Sequence, residues 1–144
     1  MTPEERARRS ADVMWADDRA SQAAGMALVD VAPGRAVMTM TLRDDMANGH
    51  GIAHGGYIFT LADSAFAFAC NSYNTLVVAQ HNSITFLTPG KVGEVLTATA
   101  TEAHKAGRSG IYDVIVTGGD GRQVAIFRGH SRQINGMHFE EPGA

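Results

Sequence analysis

Between His54 and Asn71 the chain carries a single carboxylate and no base, and that carboxylate is Asp63. If this stretch is helical, the neighbours of Asp63 at three- and four-residue spacing are Phe59, Thr60, Phe66 and Ala67. Burying a carboxylate among such residues costs several kcal/mol unless it is partnered or stands at a cleft. Asp63 is therefore either an acid tied to a distant basic group or a reactive group with access to substrate. Just upstream, His54-Gly55-Gly56 opens the same segment. The first amides of a helix lack internal acceptors and sit at the positive end of its dipole. A carbonyl oxygen that gains negative charge would be stabilised there, and glycine lets it approach the backbone. The plainer reading is that the glycine pair only makes a tight turn. Asn48, in the preceding loop, could donate its amide to the same carbonyl or simply form a turn. His54 could orient the loop, donate a hydrogen bond or act as an acid.

Other chemistries fit less well. His50 and His54 are four residues apart, but on a loop no helical face aligns them and nothing completes a metal-ligand set. Cys70, the one cysteine, has apolar neighbours and reads as inert packing. No Gly-x-Ser-x-Gly elbow is present, which argues against an α/β-hydrolase.

The elements that must position these groups can be read from periodicity. Residues 3 to 15 read as a charged amphipathic helix with Thr2 as N-cap and Pro3 at its first position, and a short helix follows over residues 17 to 23. Residues 26 to 31 read as a strand. Over residues 35 to 42 Val37, Thr39 and Thr41 alternate with Met38, Met40 and Leu42, which marks a half-buried strand. Residues 43 to 56 form a polar loop. Residues 53 to 71 form one long helix, apolar on nearly every side, which must be wrapped by something. Four strands follow, over residues 75 to 87, 94 to 106, 109 to 117 and 122 to 134, divided by Pro89-Gly90, Ala106-Gly107 and Gly118 to Gly121. Their short connections predict an antiparallel meander. One-sided strands and an all-round apolar helix are both satisfied by an antiparallel sheet curled around that helix, an α+β hotdog fold. Residues 1–134 make a single domain in this reading, and 135–144 a flexible tail. Such sheets commonly continue across a dimer, which covers an exposed edge.

The net charge of −3 and the scattered basic residues argue against nucleic acid as a partner. The charged N-terminus is not a signal peptide, the apolar run around Asp63 is too short for a membrane span, and one cysteine forms no internal disulfide. The expected location is the cytoplasm.

At the motifs themselves the sequence resembles a known family. Asn48-Gly49-His50, His54-Gly55-Gly56, the run Leu61 to Ala67 with Asp63 inside it, Ala69-Cys70-Asn71-Ser72, Ile84 to Gly90 and Ala125 to Gly129 are similar to the phenylacetate-pathway acyl-CoA thioesterases of the hotdog superfamily. The resemblance implies hydrolysis of an acyl-CoA, phenylacetyl-CoA or a ring-hydroxylated derivative, to the free acid and CoA. It implies Asp63 as general base or nucleophile, the Gly55 N–H as donor to the thioester oxygen with Asn48 beside it, and His54 in a secondary role. It implies that these groups meet across a dimer interface, with dimers pairing into a tetramer, and that no metal or cofactor is needed beyond the CoA of the substrate. A strand serine that helps some relatives hold the water corresponds by offset to Ala79, which cannot do so; Gln80 beside it would face the other way. Lys91, Lys105, Arg108 and Arg128 are candidates for the CoA phosphates, and Tyr57, Phe59 and Phe66 for the acyl pocket or the core. Two other functions compete. A hotdog enoyl-CoA hydratase or dehydratase would work with an Asp and a His of the loop, which the spacing from Asp45 to His50 resembles. A non-catalytic acyl-CoA binding protein would share the fold without chemistry.

Overall fold

The computed structural model describes residues 1–142. Helix α1, Pro3–Asp17, starts at Thr2, whose side chain accepts from the Glu5 N–H while the Glu5 carboxylate takes the Thr2 N–H. Helix α2 is Arg19–Ala23. Strands β1, Ala27–Ala32, and β2, Arg35–Thr41, form a hairpin around Gly34, whose φ of 68° suits glycine. The long helix, α3, runs from Gly55 to Cys70. Strands β3, Val77–Phe86, β4, Val95–Ala106, β5, Ser109–Thr117, and β6, Gln123–Gln133, complete the chain. No helix among the described residues is long and apolar enough to cross a membrane.

The six strands make one antiparallel sheet in the order β1-β2-β4-β5-β6-β3. Its concave face wraps α3, burying Leu61, Ala62, Ala65, Phe66 and Phe68 against Met38, Met40, Leu96, Val114 and Phe127. The expected alternation of β2 holds, since Met38, Met40 and Leu42 are the buried set.

The four C-terminal strands do not form a simple meander. β4, β5 and β6 do, but β3 pairs with β6 at the far edge and β4 pairs with β2. The link from residue 87 to 94 therefore crosses the sheet past the start of α3. It is pinned along its length: Leu87 N–H donates to Val124 O at 2.8 Å, Ala53 N–H to Gly90 O at 2.9 Å, and Gly93 N–H to Leu42 O at 2.7 Å. Arg122 grips it from the β5–β6 turn, donating to Pro89 O and to Glu94, whose carboxyl is held down at about 2, first by that arginine.

Two further points concern ends. α3 begins at Gly55 rather than residue 53, because Ala53 is spent on a bridge to Ala47 and on Gly90. The segment from residue 135, expected as a flexible tail, is held to Asn74, which accepts from the His138 and Phe139 N–H groups and donates to Phe139 O and Glu141. Glu141 also meets Arg6 at 2.8 Å. Residues 143 and 144 of that segment lie outside the described residues.

Close packing of sheet on helix depends on Gly129 of β6. A Cβ there would sit 2.7 Å from the ring of Phe66, which is 1% exposed and cannot swing away. Gly129→Ala is expected to lower the unfolding free energy by about 1–3 kcal/mol in a urea titration; an unchanged midpoint would contradict this packing.

Candidate active site

Asp63 lies in the third turn of α3, half-buried, on the side of the helix that faces β3. Its Oδ1 accepts from Asn82 Nδ2 at 3.0 Å. No Lys, Arg or His is within ion-pair distance of it among the described residues. The distant basic partner that would make Asp63 purely structural is thus not there. Burial raises its pKa above the ordinary carboxylate value, and the Asn82 hydrogen bond opposes that rise.

The start of α3 is built around His54. This residue is the N-cap: its Nδ1 accepts the Gly56 N–H at 2.9 Å, and its carbonyl accepts the Tyr57 N–H at 3.0 Å. That use of Nδ1 requires a lone pair, so the ring proton sits on Nε2, and His54 orients the helix start. The Gly55 N–H, at the first helical position, has no acceptor within the helix. A Cβ on Gly55 would lie 3.0 Å from the Phe86 ring. Asn48 sits at the head of a tight turn, its Oδ1 accepting the His50 N–H at 2.9 Å and the Ile52 N–H at 3.4 Å. The carbonyl of Asn48 is thereby committed to the loop, and its Nδ2 remains available as a donor.

Gly55 lines a cavity of about 340 Å³ together with Ile52, Ile58, Phe86, Leu87, Pro89 and Gly90. None of its lining side chains is charged. Its aromatic wall comes from the end of β3 and not from the helix aromatics. Phe66 packs on Tyr112 and Phe127, and Phe59 on Phe127, in the core, while Tyr57 lies beside Ala23 and Arg43. Phe86 was missed because nothing in the sequence says that the strand end returns to the helix start.

Gly55 and Asp63 are eight residues apart on one helix, which separates them by about 12 Å along its axis. One chain therefore does not bring its own carboxylate to its own helix-start amide.

Of the other candidates, Lys91 bridges Ile52 at the edge of this cavity, and Cys70, Lys105, Arg108 and Arg128 are not among its lining residues. Cys70 is buried with its thiol pushed up to about 12, so it is unreactive packing. Asn71 and Ser72, part of the most specific sequence run, finish the helix: Asn71 Nδ2 donates to Ala67 O and Val77 O, and Ser72 Oγ donates to Ala69 O. Arg128 is paired with Asp113 at 2.6 Å, and Lys105 lies 4.9 Å from the Tyr73 ring. Ala79 faces inward as expected, but the register slips between Ala79 and His81, so Gln80 is the bulged residue and Asn82 becomes the next inward one.

Residues 50–125 match the model of the thioesterase superfamily. This chain belongs to the thioesterase superfamily. The acyl-coenzyme A thioesterase PaaI of Escherichia coli is 42% identical over 128 residues, covering 89% of this chain and 91% of the relative. The solved structure of the E. coli PaaI protein from the phenylacetic acid degradation operon superposes with a TM-score of 0.93 at 40% identity, covering 94% of this chain and 99% of that one. A hypothetical thioesterase from Streptococcus pneumoniae, solved with coenzyme A, gives a TM-score of 0.75 at 28% identity, over 78% and 88% of the two chains. The hotdog architecture read from the sequence is the one observed.

The pKa shift of Asp63 carries a stability consequence. A carboxyl whose folded pKa is raised is favoured by folding when protonated; that contribution is full below the unfolded pKa and is lost as pH rises through the folded one. Asp63→Asn is therefore expected to melt at or above the wild-type temperature at pH 7, the difference shrinking as pH falls toward 4. A variant that melts markedly lower at pH 7 would show that the carboxylate is a structural anchor.

Proposed function

We propose that this thioesterase hydrolyses acyl-CoA thioesters with an apolar, aromatic acyl group, phenylacetyl-CoA or a ring-hydroxylated derivative, in the cytoplasm, and that its active sites are shared between two copies of the chain. The observation that carries the proposal is a half-buried carboxylate without a cation, about 12 Å along α3 from a helix-start amide that lines an apolar cavity. The name and operon of the E. coli relative support the acyl group, and so does the uncharged cavity.

The second copy enters through β3. Among the described residues this ten-residue strand is paired only on its β6 side, with Val78 45% and Phe86 51% exposed. Such an edge invites pairing with another chain. On β3, Asn82 marks the level of Asp63 and Phe86 the level of Gly55. Antiparallel self-pairing centred on Ile84 sets Asn82 of one copy opposite Phe86 of the other, and so turns each Asp63 toward the partner's helix start. The inner and outer faces of the two strands then coincide, since residues 82, 84 and 86 keep the same parity.

In the shared site the thioester oxygen accepts from the Gly55 N–H and Asn48 Nδ2 of one copy. Asp63 of the other takes a proton from water as its oxygen bonds to the carbonyl carbon and the carbonyl electron pair moves onto oxygen. The pair returns, the C–S bond breaks, and the CoA sulfur leaves with the proton held by Asp63. A thiol is a fair leaving group, so no strong acid, metal or further cofactor is required of this scheme.

Asp45, the loop acid that an enoyl-CoA hydratase would use, is exposed and paired with Arg43 at 3.0 Å, away from the cavity, which counts against that alternative.

The test is CoA release from an acyl-CoA panel. Asp63→Asn should fold and lower kcat on the order of 100-fold or more. Gly55→Pro removes the amide hydrogen at a position where a helix tolerates proline, and His54, at ψ 130°, already has the backbone that proline demands of its predecessor. It should cost about 100- to 1,000-fold in kcat. Wild-type protein that releases no CoA from any aryl or alkyl thioester, or an Asp63→Asn variant of undiminished kcat, would refute the proposal.

A further inference from the structure

Among the described residues, the one side chain that hydrogen-bonds the Asp63 carboxylate has no role in the scheme above. We propose that Asn82 is the positioning residue of that carboxylate, holding Asp63 in one orientation and offering it a hydrogen-bond partner in both of its protonation states. This rests on the reading of Asp63 as the base.

Three observations carry it. First, Asn82 Nδ2 binds Asp63 Oδ1 at 3.0 Å, and Oδ2 has no bonded partner among the described residues, so one oxygen is fixed and the other is left for the reacting water. Second, Asn82 reaches the helix only because of the irregularity on β3. Simple alternation from Ala79 would turn residues 81 and 83 inward; the bulge at Gln80 sends Asn82 inward, opposite Gly129, on which the Phe66 ring packs. Third, Asn82 Oδ1 is buried with no partner among the described residues. The next two inward positions on this strand are Ile84 and Phe86, and an apolar residue at 82 would avoid the unsatisfied acceptor. The amide is useful for what it does to Asp63. Nδ2 donates to Oδ1 of the ionised carboxylate. Once Asp63 has taken a proton from water on Oδ2, Oδ1 is a carbonyl oxygen and still accepts from Nδ2, so the same contact serves both states.

Among the described residues no charged group reaches Asp63. On α3 itself Cys70 stays a thiol, and Ser64 is engaged with Ser21, which is held by Asp18 of the α2 cap. The buried inner positions of β2 and β6 include Ala36, Met38, Met40, Ala125, Phe127, Gly129 and Ser131, none of which titrates, and Tyr112 of β5 donates to Glu102 of β4. His81 and His130 stack on each other across β3 and β6, on the opposite face of the sheet.

The experiment is a kcat–pH profile of the Asn82→Leu protein, with a carboxyl carbon NMR titration of Asp63 in the same samples. Loss of the donor leaves burial unopposed, so the Asp63 pKa and the acid limb of kcat should both move to higher pH. At neutral pH kcat should fall on the order of tenfold or more, with KM within about twofold of wild type. Asn82→Thr, whose hydroxyl also donates and accepts, should restore most of the rate. If the leucine protein does not fold, Asn82→Ala carries the same expectations. A folded leucine or alanine variant whose kcat, acid limb and Asp63 titration all match wild type would overturn the proposal. Should the titration move while Asp63→Asn retains full activity, the fault would lie with Asp63 as base and not with Asn82 as its holder.

Discussion

A carboxylate set into a hydrocarbon helix, with one neutral amide for company, is the constraint around which this fold is arranged. Among the described residues Asp63 faces no cation, so nothing fully offsets the loss of water around it, and its proton affinity rises. A group so poised is a stability burden when ionised and a competent base when water is delivered to it. The surrounding structure keeps it in that state. α3 is wrapped by the sheet on its apolar sides, Gly129 lets β6 close on Phe66, and the bulge in β3 delivers Asn82.

The geometry of a helix supplies the second constraint. Eight residues of α-helix separate the proposed base, Asp63, from the Gly55 amide proposed for the oxyanion, a span that no side-chain motion closes. The start of α3 is elaborated as if for a substrate. His54 consumes the Gly56 amide and spares that of Gly55, Asn48 keeps its amide nitrogen free, and the crossing link from β3 to β4 supplies an apolar wall anchored by Arg122. An exposed, ten-residue edge strand lies alongside both halves of the proposed site. Pairing of two such edges, as proposed, would resolve the separation and cover the edge in one step.

Much of this was legible in the sequence for local reasons. The alternation of Met38, Met40 and Leu42, the apolar helix and its lone acid, and the Gly-rich breaks fixed the elements to within a few residues, because each depends on neighbours in the chain. What the sequence did not reveal depended on contacts far apart in it. β3 could not be assigned to the β6 edge, since strand order follows from how the link at residues 87 to 94 crosses the helix start. Asn82 escaped notice because strict alternation from Ala79 turns it outward, and a bulge is set by the partner strand. Phe86 was read only as part of a strand, although its place against Gly55 makes it a cavity wall. The most recognisable run, Ala69 to Ser72, proved to be a helix terminus.

The division of one site between two chains is tested most directly by mixing inactive variants. Asp63→Asn and Gly55→Pro proteins would be purified singly, then unfolded and refolded together in equal amounts, and CoA release measured. A shared site predicts that each mixed pair regains one intact site of two, so activity returns to about a quarter of the wild-type value when pairing is random. If acid and amide serve the same site from one chain, every site in the mixture stays defective. No recovery, in a mixture shown to contain mixed pairs, would contradict the account.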